Sequence, residues 1–450
     1  MNVRATMTKS RGWIARVSES IESRLWPLPV ASIVVAVLLG IYVPRLDLAI
    51  DEVLPPGVDS IVFNGGAETA RSVLSSIAGS LITATSLTFS LTVVALQLAS
   101  SQASPRVLRL FSRDRQVHAT LAVFLGTFAY AITVLRSVRD STDEIPEFAP
   151  RIAVTGGFVL TLVSVVVLVF FLAHLAAQLR VETIMKEIHA ETDRTIDLVG
   201  DGNAAANAYS HPIEVPASKH VVTAESSGFL TSCDRGGLVK LASSHGIVIE
   251  ETKRVGESVV AGAPQAYWWP RDGRRPTDPA EIAREIRKAF VVGYERTAAQ
   301  DIDYGLQQIL DIGVRALSAG INDPTTAVNA LGHLSALVSR AVEVPQLPAG
   351  LADGDDELAV VTIDRPPARI VEESLTPMRH YGGSSPAVVV RFLQLISDLH
   401  YTCPGAAISG ALIQQLIALE TQLRGDSTDP ALMAVLIEQT ARLRDRIEQS

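Results

Sequence analysis

Cysteine is nearly missing from this chain of 450 residues: Cys233 and Cys403 are the only two, and neither has a CxxC or similar spacing. A disulfide framework or cysteine zinc site therefore has no support, and two unrelated reduced thiols are the expectation. Basic residues are also in deficit. Lys and Arg number 39 against 48 Asp and Glu, a formal net charge of −9 with no strongly basic segment, which argues against a nucleic-acid partner. Sequence signatures of common chemistry are missing as well: there is no GxxxxGK[ST], GxGxxG, HExxH or GxSxG, and the histidines are scattered. No catalytic residue, metal site or cofactor is assigned, and the chain is read as a non-enzyme. Residues 1–25 are polar, with no small-residue cleavage site after a short apolar run, so a cleaved signal peptide is not expected.

Charge is missing from long stretches of the first 180 residues, although 19% of the whole sequence is charged and the mean hydropathy is +0.27. Four apolar segments, at about 26–43, 72–99, 119–136 and 152–173, approach the roughly 20 residues that a helix needs to cross a ~30 Å hydrocarbon core. Trp26 and Tyr42 sit where interfacial aromatics belong. Basic residues set the orientation. Arg4, Lys9, Arg11, Arg16 and Arg24, then Arg106, Arg109, Arg113 and Arg115, then Arg180, Lys186 and Arg194 flank one side. The opposite loops carry only Arg45 and Arg71, then Arg136, Arg139 and Arg151, which favours both termini on the cytoplasmic side of a multi-pass membrane protein.

The second span is the most unusual. Ten hydroxyl side chains lie between Ser72 and Thr92, and Ser72, Ser76, Ser80, Thr83, Ser86 and Ser90 follow a three-four spacing that forms one seam. Small and hydroxyl residues let helices approach closely and bond across an interface. The alternative role is a polar wall around a hydrated pathway. No acid or base lies at mid-membrane, which counts against a proton relay or ion-coupled carrier; His174 reads as interfacial.

The remainder divides by composition. After the cytoplasmic segment 1–25 and the transmembrane region 26–180, residues 181–219 form a helical extension and linker. In the extension, Val181, Ile184, Ile188, Ile196 and Val199 continue an apolar stripe. This helix either continues out of the bilayer beside copies of itself or docks on its own soluble domain. Residues 220–275 read as a small β module of short strands with a tight turn at Gly256. Residues 276–345 read as a helical hairpin, and 346–450 as a C-terminal helical region. Helices are expected over about 278–291, 297–318, 324–341, 386–400, 405–424 and 430–447. Asp323-Pro324 and Asp429-Pro430 are capped starts, and 353–357 (DGDDE) reads as a solvated loop. The fold class is thus an α-helical integral membrane protein carrying a mainly α, partly β cytoplasmic domain.

In the hairpin, Gln300, Tyr304, Gln307, Asp311, Arg315 and Ser318 recur on one helical face, and Asp311 can pair with Arg315 at i,i+4. Matches to an R-T-x-x-Q-D…I-N-D-P-x-T-A run fall at Arg296, Thr297, Gln300, Asp301, Gly305, Gln308, Asp311, Ile312, Arg315, Ala316, Leu317, Ser318, Ile321, Asn322, Asp323, Pro324, Thr326 and Ala327. This long run resembles the signature of a bacterial predicted membrane protein family, domain of unknown function 2254. The second span (SLTFSLTVVALQLASSQ) and the GxxVxxG hairpin are similar to that family too. The resemblance implies a four-span inner-membrane protein with a cytoplasmic domain, and no reaction or substrate. Arg296, Gln300, Asp301, Tyr304, Gln308, Asp311, Arg315, Asn322, Asp323 and Thr326 are read as a polar network that fixes a packing arrangement or subunit contact, or else holds a small anionic ligand. The expected partners are the bilayer, further copies of the chain, and a cytoplasmic protein or small ligand. The leading expectation is an oligomeric, channel-like protein with a cytoplasmic regulatory domain. A non-conducting scaffold or sensor is the rival, and a membrane-associated enzyme is third.

Overall fold

The computed structural model describes residues 26–50, 62–102, 114–141, 147–178, 180–272, 278–425 and 429–449. The basic residues of segment 1–25 and Arg106, Arg109 and Arg113 lie outside them. The chain forms two compact units, Met1–Thr183 and Ile184–Ser450.

The first unit contains four helices long and apolar enough to cross a membrane: α1 (Pro27–Ile50), α2 (Ala67–Gln102), α3 (Arg115–Leu135) and α4 (Arg151–Gln178). Helix α3 packs against each of the other three. Its contact with α1 is close because the crossing uses small residues: a Cβ on Gly40 would strike Thr133, and one on Gly126 would strike Ser32. Polar groups cap the helix ends. Asp47 accepts the N–H groups of Ile152 and Ala153 (3.0 Å each) at the start of α4, and Glu147 accepts that of Ala67 at the start of α2. Asp114 caps α3 and holds His174 Nε2 at 2.6 Å.

Helix α4 does not run on into the next helix. It ends at Gln178, and α5 spans Val181–Ala204. The apolar stripe of α5 is spent on its own domain: Ile184, Met185, Ile188 and Ile196 are buried within the second unit. The docked alternative therefore applies, and the expected continuous helix is broken.

The second unit is mixed α/β. A five-stranded sheet has the order β1 (His220–Thr223), β5 (Pro264–Pro270), β3 (Ile247–Glu251), β8 (Leu358–Val361), β7 (Gly350–Ala352); only β3 and β8 run parallel. A three-stranded antiparallel sheet has the order β4 (Ser258–Val259), β2 (Gly228–Cys233), β6 (Phe290–Gly293). Helices α6 (Arg235–His245) and α7 (Pro279–Lys288) share their core, centred on Trp268, Ile249, Leu238 and Ile286. The remaining helices are α8 (Ile302–Ala316), α9 (Pro324–Glu343), α10 (Pro367–Gly382), α11 (Pro386–Thr402), α12 (Ala406–Gly425) and α13 (Pro430–Glu448). Helices α8 and α9 pack as a hairpin against α10, and α9 also packs on α11.

Four expectations change. The strand region contains α6, capped by Asp234 and closed by Gly246 in the left-handed conformation. The β region is not confined to 220–275, because β6, β7 and β8 complete the sheets from later sequence. Helix α10 replaces unassigned chain; Pro367 starts it, and Pro377 lies within it. The acidic run 353–357 is anchored rather than simply solvated: buried Asp353 pairs with Arg271 at 2.7 Å and accepts the N–H groups of Asp355 and Glu357.

Candidate functional site: a hydroxyl seam and an arginine-lined groove

In α2, Ala70, Leu74, Ile77, Ala78 and Leu81 are buried against the other helices of the first unit. The seam residues Ser72, Ser76, Ser80, Thr83, Ser86 and Ser90 are all exposed on the other side, and Gly79 has nothing within 4 Å of an added Cβ. Packing among the described residues therefore leaves the seam unused. Two of its hydroxyls bond back to the helix, Ser80 to the Ile77 carbonyl (3.0 Å) and Thr83 to that of Gly79 (2.9 Å). The outer face of α4 has a different composition: Phe158, Leu162, Val165, Val166, Val169 and Phe170 are exposed there, a surface suited to lipid.

The signature residues separate into two groups. Asn322, in the left-handed conformation at φ 49°, turns the chain into α9. Asp323 caps that helix by accepting from the Thr325 and Thr326 N–H groups (3.1 Å each) and from the Thr326 hydroxyl. The Thr326 hydroxyl, followed by the backbone donors, holds the Asp323 carboxyl below its ordinary pKa. This end is a cap and a turn. On α8, Asp311 accepts from Gln307 Nε2 at 2.7 Å; Gln308 is buried with an unpartnered Oε1, and Arg315 sits in the last turn.

The other group ties the hairpin to the sheets. Arg296 forks onto Asp301 (2.8 and 2.9 Å) and lies over the Tyr304 ring at 5.6 Å. The Asp301 side chain, 2% exposed, also accepts the Tyr304 N–H that begins α8. Gln300 Oε1 accepts the N–H of Cys233 at the end of β2 (3.0 Å). Gly305 is bare because Thr192 of α5 occupies the place of a side chain, and the Thr195 hydroxyl bonds the Ala298 carbonyl (2.7 Å).

Around these residues are functional groups with no local signal in the sequence. Arg235 forks onto buried Glu251 (2.8 and 3.1 Å), and Arg254 onto Glu257 (2.8 and 3.1 Å). Arg365 pairs with Asp303 and Glu373. Burial lowers the Arg365 pKa below its ordinary value, reinforced by Arg254 and Arg369. Burial, followed by the Glu251 charge, raises the Cys233 thiol pKa strongly, so this cysteine is not an activated nucleophile. Among the described residues, no group of three or more His, Cys, Asp or Glu is arranged to hold a metal ion.

The family model described as "Predicted membrane protein (DUF2254)" matches residues 22–398. An uncharacterized protein of Mycobacterium bovis and uncharacterized proteins of Mycobacterium tuberculosis strains H37Rv and CDC 1551 are each 30% identical to this chain over 461 residues, covering 98% of it and 86% of the relative. No solved structure matches the chain significantly. With a four-helix apolar region, a mixed α/β unit and a signature that joins its helices to its sheets, the chain belongs to the DUF2254 family of predicted membrane proteins.

Proposed function

We propose that this protein is a homo-oligomer of the plasma membrane, with both termini cytoplasmic. In this assembly the α2 seams face one another around a hydroxyl-lined centre that passes a small solute, and the second unit regulates it from the cytoplasm. The exposure of the whole seam, beside the exposed Ile82, Leu87 and Phe89 of the same helix, carries this reading. A row of hydroxyls gains nothing from hydrocarbon, whereas another copy offers it close packing or water. The excess of Arg and Lys beside the proposed cytoplasmic ends supports the orientation.

One observation favours a non-conducting scaffold or sensor: the Ser80 and Thr83 hydroxyls already donate to their own helix. Solute flux into liposomes bearing the purified protein tests the two readings. Conduction requires flux in wild type that Ser80→Leu and Thr83→Leu abolish while assembly is retained. An assembled wild type that passes no ion or small solute, at any applied voltage, assigns the seam to packing.

A further inference from the structure

The second unit contains a groove that neither the seam nor the helix caps account for. Its mouth is a cleft of about 640 Å³ between the end of α5, the start of α6 and Leu347. The cleft shares Asn203, Arg235 and Gln300 with an inner pocket of about 120 Å³, which shares Arg254 and Arg365 with a third of about 160 Å³. Clefts of roughly 300–1,000 Å³ are the size that takes small organic ligands.

The two ends differ chemically. At the mouth, Val199, Val239 and Leu347 supply apolar wall, and two carboxamides are each fixed by one end only. Asn203 Nδ2 donates to the Pro345 carbonyl (2.8 Å) and Asn207 Nδ2 to that of Asp353 (3.1 Å), which orients both side chains. Gln300 is held through its Oε1, leaving its amide N–H groups as donors. At the inner end, Arg235 and Arg254 each commit Nε and Nη2 to one carboxylate. The forks fix the guanidinium planes and leave Nη1 for another acceptor, so the entropy of ordering is lost before a ligand arrives. Arg365 is 9% exposed, and its buried Nε has no hydrogen-bond partner. Its other nitrogens already meet Asp303, Glu373 and the Arg369 carbonyl, so the Nε is the donor that a bound anion would satisfy.

We propose that this groove binds a small organic phosphate of nucleotide size, with its planar body at the carboxamide-lined mouth and its phosphate among Arg235, Arg254 and Arg365. Signature residues Gln300 and Asp301 then act as positioning groups, Gln300 at the junction of cleft and pocket and Asp301 bracing α8 beside it. Asp301, Asp303, Asp364, Glu257 and Glu373 also line the two inner pockets, against Arg235, Arg254, Arg296 and Arg365, so the empty site carries one more acid than it has arginines and an incoming phosphate must displace a carboxylate. A phosphate thus competes with Asp303 for Arg365, and removal of that charge strengthens binding.

The test is calorimetric titration of the full chain in nanodiscs with AMP, ATP and inorganic phosphate. Saturable binding of AMP or ATP is expected, weakened at least about tenfold, or about 1.4 kcal/mol, by Arg254→Met and by Arg365→Met. Asp303→Asn is expected to tighten it several-fold. Gly236→Trp, at an exposed position with room for a Cβ and no ion pair, is expected to block the mouth and abolish it. Thermal melting monitors folding of each variant, and Gly236→Trp decides the matter if the arginine variants unfold. Absence of saturable binding, indifference to these substitutions, or weakening by Asp303→Asn overturns the proposal. Inorganic phosphate binding as tightly as AMP overturns the role given to the mouth.

Discussion

The carboxylate of Asp301 occupies the place that any side chain on Gly256 would need. Gly256 is at φ 92°, a conformation that glycine adopts freely, and its turn brings the chain between β3 and β4 against the start of α8. Asp301 cannot retreat, because the Arg296 fork and the Tyr304 N–H hold it. One glycine and one aspartate, 45 residues apart in sequence, thus join the sheets to the helices.

Gly256→Ala is expected to destabilise the second unit by on the order of 1–3 kcal/mol through backbone strain alone, with the overlap adding to it. Asp301→Asn removes the charged fork and is expected to cost about 1–3 kcal/mol. Since both act on one contact, the double variant should lose less than the sum of the two. Denaturant titration of all three variants checks this; strict additivity would mean that the two residues do not share an interaction.

Cysteine cross-linking reports the seam directly. With Cys233 and Cys403 replaced by alanine, Ser76→Cys and Ser80→Cys are expected to give disulfide-linked dimers in membranes. Val166→Cys, on the apolar face of α4, is expected to stay monomeric. Equal cross-linking at all three positions would remove the seam's claim to the interface.

Stability should fall in mild acid through His333. Burial and neighbouring His189 lower its pKa from the ordinary 6.5. Their Nδ1 atoms are 3.0 Å apart, Asp193 stands 3.5 Å from His189 Nε2, and Arg340 bonds Asp193. The unfolded chain takes up the proton first, so this contribution is complete above about pH 6.5 and is lost as pH falls toward the lower folded value. Melting temperatures from pH 7.5 to 5 should decline, and His333→Gln should flatten that slope.

Asp323→Ala removes the cap of α9 and is expected to cost about 1 kcal/mol at neutral pH. Its depressed pKa places the contribution above the ordinary carboxylate value of 3.8 and removes it as pH falls through the lower folded one. Chemical denaturation at pH 7 and pH 3 should show wild type and variant converging in acid.

The apolar spans were legible because hydrocarbon thickness dictates their length. Helices α9 and α13 were legible because an Asp-Pro pair both caps and starts a helix, and the Gly256 turn was visible as glycine punctuation. Strands β6, β7 and β8 were not, since segments of four, three and four residues show no usable alternation. Helix α6 was masked by Gly236 and Gly237, which lower helical propensity where the Asp234 cap restores it. Arg296, Gln300 and Asp301 stood out as a run. Arg365 did not, because the residues that give it meaning, Arg254 and Asp303, lie far away in sequence, and only folding collects them.

The pairing of β3 with β8 also has a consequence in time. Ile249 must meet Val360, and about 110 residues separate them. At roughly 5–20 residues per second of synthesis, β3 waits about 5–20 seconds with an open edge while the intervening chain emerges from the ribosome. Unpaired apolar edges invite association with other chains during such an interval. Nascent chains stalled before Val360 should therefore bind holdase chaperones strongly, and release them once β8 has emerged.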